Sequence, residues 1–299
     1  MKVIFTYEDG MVNQGSIRLR VFQIANALSL SIPIETRPLS SCDDVHDALI
    51  FLVKPRNYQK IQRIVGANNI IVLDILDTID SLETPDSRLN KIFGKTTQSL
   101  LSEIDGAIFC SDKTRKAYQH RFKHPELCKT IYHHWDGRFV ARPQTVLKQV
   151  NVAYFGLPRK AHLSDKLSLV DVHPFGSYKE VSERLFSQYN AHYIVKPDEF
   201  RHHLEPLTKI AIAAFAKSPV IARQGHEVEL LTDDYPYYIE DDSVEAINNT
   251  FHKMSETYLN QDWQDALTIM EAIHHRTSLN TTTKDYLRFI HQITDTKQL

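Results

Sequence analysis

The amino-acid sequence predicts an α/β protein in which two parallel-sheet domains follow one another along the chain. Three observations lead to this prediction. Short β-branched runs alternate with helical stretches in the first half, the alternation lapses at residues 136–149, and it resumes at residue 150. Because strand–helix–strand units cross over with a right-handed connection, each half is expected to form a parallel sheet with helices on both faces. A chain of 299 residues is long enough for two such domains.

The first half contains the clearer elements. The apolar runs KVIFTY at residues 2–7 and ALIFLV at residues 48–53 are typical of buried strands. Further strands are predicted at residues 69–75, 106–110 and 129–133. Apolar side chains recur at helical spacing in residues 17–30, and the other predicted helices are residues 58–65, 89–104 and 113–122.

The segment at residues 136–149 is predicted to be a linker at which the two domains hinge, because it contains Gly137 and Pro143 and has little periodicity. The strands predicted after it are residues 150–155, 191–195, 219–222 and 237–239. The predicted helices are residues 208–217, 243–258, 262–276 and 281–294. We therefore expect an N-terminal domain at residues 1–140, a C-terminal domain at residues 150–280, and a final segment, 281–299, that can pack back on the first domain.

The composition argues against several functional classes. A net charge of -2 does not suit a nucleic-acid-binding protein. No apolar stretch approaches the roughly 20 residues of a membrane span, and the first apolar run is too short for a signal peptide, so a cytoplasmic protein is expected. Basic residues on the final helices leave peripheral contact with the inner membrane open. The three cysteines are odd in number and widely spaced, which predicts neither disulfides nor a zinc site.

Thr208 and Lys209 stand where a loop is predicted to enter a helix. The free N–H groups and the positive dipole end of a helix favour an anion there. A lysine in this first turn is unfavourable for the helix alone and nothing nearby in the sequence accounts for it, so a bound phosphate group is the favoured interpretation. In the alternative interpretation, Thr208 is an N-cap and Lys209 is solvated.

Two glycine-containing turns followed by basic residues are further candidates for phosphate contacts. Gly15 precedes Arg18 after the first strand, and Gly156 precedes Arg159 and Lys160. Backbone N–H groups near glycine can approach phosphate closely, and arginine can bind it through two hydrogen bonds. Neither turn carries the full glycine fingerprint of a dinucleotide site. Basic side chains that pair with carboxylates or face solvent remain the alternative.

Asp9, Asp74 and Asp77 lie at or after the carboxyl ends of predicted strands. Such carboxylates can orient or deprotonate a hydroxyl group of a substrate, and they are the catalytic candidates. Capping or solubility is the alternative role. No metal site is predicted, because these residues lie in irregular turns and no histidine is interleaved. The adjacent histidine pairs would point to opposite faces of a strand and so would rarely chelate one metal.

Several segments resemble bacterial glycosyltransferases of the GT-B type. Residues 16–20 (SIRLR), 71–77 (IVLDILD) and 108–111 (IFCS) resemble parts of their acceptor domain. Residues 152–156 (VAYFG) resemble the first strand and turn of their donor domain. The most specific resemblance joins PLTK at residues 206–209 to SPVI at residues 218–221, which is similar to the helix and strand of their donor site.

The resemblance implies two Rossmann-like domains facing across a cleft, with a nucleotide-sugar donor in the C-terminal domain and a glycan or lipid-linked acceptor in the N-terminal domain. It implies that the helix beginning at Thr208 holds the donor diphosphate and that Glu227 and Glu229 contact the donor sugar. Many retaining members carry two glutamates, and the corresponding positions here are Leu204 and Ile212.

The expected function is therefore glycosyl transfer from a nucleotide sugar, with no cofactor and no essential divalent metal. Two alternatives stay open. The absent glutamate pair suits a non-catalytic protein that binds nucleotides or glycans, and a GT-B sugar epimerase would share the fold. A Rossmann dehydrogenase is disfavoured, because the sequence lacks the glycine fingerprint and the downstream carboxylate that binds ribose.

Overall fold

The computed structural model describes residues 1–55, 58–65, 67–76, 101–141, 145–163, 166–174, 178–197, 207–225 and 227–297. These residues form two compact units. The first contains residues 1–133 and 279–297, and the second contains residues 134–197 and 207–278, apart from the gaps given above. Each unit has its own parallel sheet and its own hydrophobic core.

The first unit contains six parallel strands in the order β2-β1-β3-β4-β5-β6. They are β1 (Lys2–Tyr7), β2 (Ile34–Pro38), β3 (Ala48–Val53), β4 (Ile70–Ile75), β5 (Gly106–Phe109) and β6 (Cys128–Thr130). Every residue of β3 is buried, and β1, β4 and β5 are buried over most of their length. Burial on both faces explains why these strands are continuous apolar runs in the sequence. The predicted parallel sheet is confirmed.

Helices cover this sheet. After β1, one continuous helical segment consists of α1 (Gly15–Ile17), a π-helical stretch (Arg18–Gln23) and α2 (Ile24–Leu28). The next helices are α3 (Tyr58–Val65) and α4 (Asp112–Tyr118), and short 3₁₀ turns occur at Leu39–Ser41, Gln119–Arg121 and Pro125–Leu127. The hydroxyl of Ser111 accepts a hydrogen bond from Thr114 N at 3.1 Å, which caps the start of α4.

The second unit contains five parallel strands in the order β11-β10-β9-β7-β8. They are β7 (Val152–Phe155), β8 (Val170–His173), β9 (Ala191–Tyr193), β10 (Val220–Arg223) and β11 (Tyr238–Ile239). The predicted second sheet is confirmed. Its helices are α5 (Tyr178–Ser187), α6 (Thr208–Phe215), α7 (Val228–Leu231), α8 (Val244–Glu256) and α9 (Gln261–Arg276), and a 3₁₀ turn spans Pro158–Lys160. Ser243 caps α8 by accepting a hydrogen bond from Ala246 N at 3.0 Å.

The last helix, α10 (Leu279–Lys297), belongs to the first unit. Its buried face packs into the core formed by β1 and β3, and the Tyr286 ring lies 5.8 Å from the rings of both Phe5 and Phe51. Among the described residues, no helix combines the length and the apolar character that crossing a bilayer would require.

The division between the units differs from the predicted domain boundary. Trp135 stacks on Phe215 with ring centres 4.3 Å apart, and Phe139 lies 6.1 Å from the same ring. The residues that follow residue 133 therefore pack with the core of the second unit, and the second unit begins at residue 134. Two strands, β2 and β8, and two α-helices, α5 and α7, were not predicted from the sequence.

Candidate functional site

The carboxyl edge of the second sheet brings polar side chains together. In open parallel sheets, ligands bind outside the carboxyl ends of the strands, at the point where the strand order reverses. Here β8 lies on one side of β7 and β9 lies on the other, so this point is between β7 and β9. Gly156 follows β7 directly, and Lys209 lies in the first turn of α6, the helix between β9 and β10.

Lys209 is the second residue of α6, and its side chain reaches the end of β7. Its Nζ donates a hydrogen bond to the backbone oxygen of Phe155 at 2.6 Å and lies 4.1 Å from the centre of the Tyr154 ring. The residues that account for this lysine lie far from it in the sequence and close to it in the fold. A carbonyl oxygen and an aromatic face of the same unit both hold the ammonium group.

Gly156 leaves the space that the Lys209 side chain occupies. Its φ of 153° is a backbone conformation that residues with a Cβ rarely adopt. A Cβ at this position would lie 2.6 Å from Lys209 Nζ and 3.2 Å from Tyr154 Cε1. The structure thus brings together two residues that the sequence analysis singled out separately.

The N-terminus of α6 points its backbone toward the same edge. Its N-cap residue is Leu207, and no side chain of the described residues caps it. Thr208 is the first helical residue and is therefore not the N-cap of the alternative interpretation. The first N–H groups of a helix have no partner within the helix, so α6 offers donors and a positive dipole end beside Lys209.

His192 lies on β9, and its ring centre is 5.4 Å from that of Phe155. The residue is 3% exposed. Burial is the larger of two effects that lower the pKa of His192 to about 3, and the positive charge of Lys209 is the smaller. The ring is therefore neutral at physiological pH. Its Nε2 has no hydrogen-bond partner among the residues that the structure describes.

A chain of hydrogen bonds lies at the end of β8, next to Gly156, whose N donates to His173 O at 2.9 Å. Arg184 donates to His173 Nδ1 at 2.7 Å, and His173 Nε2 lies 2.6 Å from Tyr189 Oη. Tyr189 in turn donates to Asp171 at 2.9 Å. Because a guanidinium can only donate, the proton of the neutral imidazole is on Nε2. Burial, and after it Arg184, lower the pKa of His173, which favours this neutral form. None of these four side chains was predicted from the sequence.

Arg223, at the end of β10, pairs with Asp242 through two contacts of 2.9 and 2.5 Å. His162 Nε2 lies 3.0 Å from the backbone oxygen of Asp242. Neither Arg223 nor His162 was predicted from the sequence. One signal was available in the sequence: an arginine ends a strand, and two adjacent aspartates follow the next strand.

The other predicted donor-site residues of the second unit also follow strands of this sheet. Lys160 lies in the 3₁₀ turn after Gly156, and Arg159 belongs to the same turn, although its side chain lies outside the described residues. Glu227 is the N-cap residue of α7, and Glu229 lies in its first turn, where the helix dipole favours a carboxylate.

In the first unit, Asp9 lies in the loop after β1, which has β2 on one side and β3 on the other. Asp9 is exposed and accepts a hydrogen bond from Ser40 Oγ at 2.5 Å. Gly15 begins α1, and no atom of the described residues lies within 4 Å of the position that a Cβ would take. Arg18 donates to Asn13 Oδ1 at 2.8 Å.

Asp74 is fully buried in the first unit. It accepts a hydrogen bond from the Tyr286 hydroxyl, and its Oδ1 lies 3.9 Å from Arg20 Nε. Arg20 also donates to Ile131 O at 2.6 Å, so the three side chains join the π-helical stretch, β4 and α10. Burial raises the pKa of Asp74 above the usual range for an aspartate. These surroundings favour a structural role for Asp74, and Asp77 lies outside the described residues.

Metal-binding and thiol chemistry find little support in the described part of the chain. No group of three or more histidine, cysteine or acidic side chains there is arranged to hold a metal ion. Cys42, Cys110 and Cys128 are buried free thiols. Burial raises the pKa of Cys42 to about 11 and that of Cys128 to about 12, which disfavours the reactive thiolate.

The chain is similar to solved GT-B structures over nearly its whole length. HepE of Anabaena in complex with UDP-glucose matches with a TM-score of 0.60 and 13% identity, over 100% of this chain and 99% of that chain. HepE in complex with UDP gives a TM-score of 0.64, again at 13% identity, over 98% and 100%. Sucrose-phosphate synthase of Thermosynechococcus elongatus gives 0.63 at 11% identity, over 99% and 100%. No protein-family model and no curated protein sequence matches the chain. The chain has the GT-B fold, as the sequence predicted.

Proposed function

We propose that this chain is a glycosyltransferase that moves a sugar from a nucleotide-sugar donor to a hydroxyl of a glycan or lipid-linked acceptor. The observation that carries the proposal is the Lys209 ammonium, which lies over the end of β7, beside Gly156 and the N-terminus of α6. A cation, a helix N-terminus and a glycine turn together suit a diphosphate. The GT-B fold, and the UDP and UDP-glucose bound to HepE, support this choice of ligand.

In the proposed reaction, the bond between the anomeric carbon and the diphosphate oxygen breaks, and negative charge develops on the departing diphosphate. Lys209 and the first N–H groups of α6 meet this charge. Groups that are held in place before the ligand arrives need little reorganisation, and such electrostatic stabilisation is usually the largest contribution to catalysis. The reaction requires no metal in this proposal, because the ammonium and the helix N-terminus take its place.

The other candidates from the sequence keep their roles in the proposal. Contacts to the diphosphate from the second unit are assigned to Lys160, Arg159, Gly156 and Thr208. In the first unit, Gly15 and Arg18 stay candidates for nucleotide-sugar binding. Contacts to the donor sugar are assigned to Glu227 and Glu229, which follow β10 at the start of α7. The acceptor base is assigned to Asp9, with Asp77 as the second candidate, because the buried surroundings of Asp74 favour a structural role.

The donor site is tested by replacing Lys209 with alanine and measuring the affinity for UDP, GDP, dTDP and the matching monophosphates by titration calorimetry. Loss of a direct hydrogen bond to charge should weaken binding of the preferred diphosphate by about 1.5–3 kcal/mol. The affinity for the monophosphate should fall less, because its single phosphate does not extend as far toward Lys209. Turnover should fall further than affinity if the lysine mainly meets charge on the leaving group.

Lys148→Ala is the matched control, since Lys148 is exposed and precedes β7 at the opposite edge of the same sheet. It should bind like the wild type. Equal diphosphate affinity in folded Lys209→Ala and in the wild type would refute the assignment of Lys209.

The acceptor side is tested with Asp9→Asn. If Asp9 is the base, turnover should fall by roughly 100-fold or more while donor affinity stays near normal. Steady-state kinetics with a transferred sugar and calorimetry with UDP separate these two quantities. Unchanged turnover would remove Asp9 and leave Asp77 as the next candidate.

A non-catalytic nucleotide- or glycan-binding protein is the second candidate, and a specific observation favours it. Ile212, at the position of one family glutamate, is buried in α6 among the apolar side chains of the second core. A carboxylate from that position is therefore absent. Binding of a nucleotide sugar with neither hydrolysis nor transfer would support this candidate. Conversion of the bound sugar to its epimer, without an acceptor product, would support the epimerase.

A further inference from the structure

Tyr154 has no role yet in the proposed chemistry, although it contacts the central residue of the site. It is fully buried on β7, and Lys209 Nζ lies 4.1 Å from the centre of its ring. The next residue, Phe155, supplies the carbonyl oxygen at 2.6 Å, and the following residue, Gly156, has no side chain in the way. Three consecutive residues of the described chain thus adjoin one ammonium group.

This arrangement addresses a general weakness of lysine as a ligand for anions. A lysine side chain is long and flexible, and its ammonium is strongly hydrated, so in solvent its position is poorly defined. An aromatic face attracts the cation through the ring quadrupole, and does so more strongly where water is excluded. The carbonyl oxygen of Phe155 occupies one of the three N–H donors and sets the orientation of the group.

Gly156 indicates that the position of the ammonium depends on this turn. A Cβ at residue 156 would come within 2.6 Å of Lys209 Nζ and 3.3 Å of Tyr154 Oη, and the φ of 153° itself disfavours any other residue. Both the backbone conformation and the contact between ring and ammonium therefore require glycine here.

We propose that Tyr154 is a positioning residue whose ring holds the Lys209 ammonium over the end of β7, where it meets an oxygen of the donor diphosphate. The identity of the anion rests on the proposed function, whereas the contact between ring and ammonium does not. The ring face carries this role rather than the hydroxyl. Phenylalanine should therefore replace tyrosine, and an aliphatic side chain should not.

The first test is a double-mutant cycle on UDP affinity, measured by calorimetry with the full chain. Tyr154→Phe should bind UDP within about twofold of the wild type, and Tyr154→Leu should bind it about three- to tenfold more weakly. In a Lys209→Ala background, Tyr154→Leu should cause no further loss, because no ammonium remains to be positioned. Equal weakening by Tyr154→Leu in both backgrounds would overturn the proposal in favour of a purely structural role.

The second test needs no ligand. Acetylation of lysines by an N-hydroxysuccinimide ester, followed by mass spectrometry, gives the rate for Lys209 relative to the exposed Lys148. Tyr154→Leu should raise this ratio by roughly threefold or more, since the ammonium is released from the ring. Tyr154→Phe should leave the ratio unchanged. An equal ratio in Tyr154→Leu and the wild type would overturn the proposal.

Two controls keep these outcomes distinct. Tyr154→Met removes the ring with a flexible apolar chain and replaces the leucine variant if that variant does not fold, as judged from the emission of Trp135 and Trp263 in the same unit. A wild type that binds no nucleotide, but shows the expected acetylation ratios, would refute the proposed function and support the ring contact. If the wild type binds UDP but the acetylation ratio is the same in Tyr154→Leu and the wild type, the ring contact is refuted and the proposed nucleotide binding is supported.

Discussion

Replacing His192 with glutamine tests how strongly the second unit holds this ring neutral. Burial, and after it the charge of Lys209, lower the pKa of His192 to about 3 in the folded unit. In the unfolded chain, the same ring takes up a proton near the usual histidine pKa of about 6.5. Between these two values the unfolded state binds more protons. The folded unit therefore loses stability as the pH falls from about 6.5 toward about 3.

The magnitude follows from the two pKa values. Between about pH 7.5 and about pH 5, a histidine that titrates near 6.5 when unfolded and near 3 when folded lowers the free energy of unfolding by about 2 kcal/mol. His192→Gln removes this contribution, so its stability should fall by about 2 kcal/mol less than that of the wild type. Any effect of the substitution that does not depend on pH cancels, because the free energy of unfolding of each protein is compared between its own two pH values. His173 and His274, whose pKa values burial also lowers, are common to both proteins.

Urea unfolding followed by tryptophan emission measures this unit selectively, because both tryptophans, Trp135 and Trp263, lie in it. The exposed residue His252 offers the matched control, and His252→Gln should follow the wild type at both pH values. If wild type and His192→Gln lose equal stability between the two pH values, the ring is not held neutral by its burial, and the reasoning fails.

Three further predictions follow from the site and its surroundings. Gly156→Ala should weaken UDP binding about as much as Lys209→Ala does, because the new Cβ displaces the ammonium; near-normal affinity in calorimetry would contradict this. Asp74→Asn should lower the unfolding free energy of the first unit by about 3–5 kcal/mol in urea unfolding followed by circular dichroism, since Arg20 stays buried without a carboxylate. Lost turnover at unchanged stability would instead support a catalytic Asp74. Excess EDTA should leave glycosyl transfer unchanged, and activity that is lost and then restored by magnesium or manganese would show a metal requirement.

The central strands could be predicted because burial on both faces leaves a continuous apolar run in the sequence. The bounds of β1 and β3 coincide with the predicted residues 2–7 and 48–53. The edge strands β2 and β8 could not be predicted in the same way. Their sequences, IETRP and VDVH, mix charged and apolar residues, because an edge strand has one neighbouring strand and is partly exposed.

The candidate site was partly predictable. Gly156 and Lys209 could be singled out by local rules, since a glycine turn after a strand and a basic residue at a helix start each suit an anion. Their contact could not be predicted, because the carbonyl that accepts from Lys209 lies 54 residues earlier in the chain. The hydrogen bonds of His173 were likewise missed, since its partners come from α5, which the sequence analysis did not predict, and from the segment after it.

The sequence by itself determined the two α/β halves, their parallel sheets and the helix that begins at Thr208. These features depend on periodicity and on backbone chemistry within a few neighbouring residues. Only the tertiary structure decided that Asp74 is buried against Tyr286, 212 residues away, and that the chain from residue 134 packs with the second core. Burial and charge pairing depend on which distant segments meet in the folded chain. The same strand-end carboxylate could have been a solvent-exposed base or, as here, a partner in a buried network.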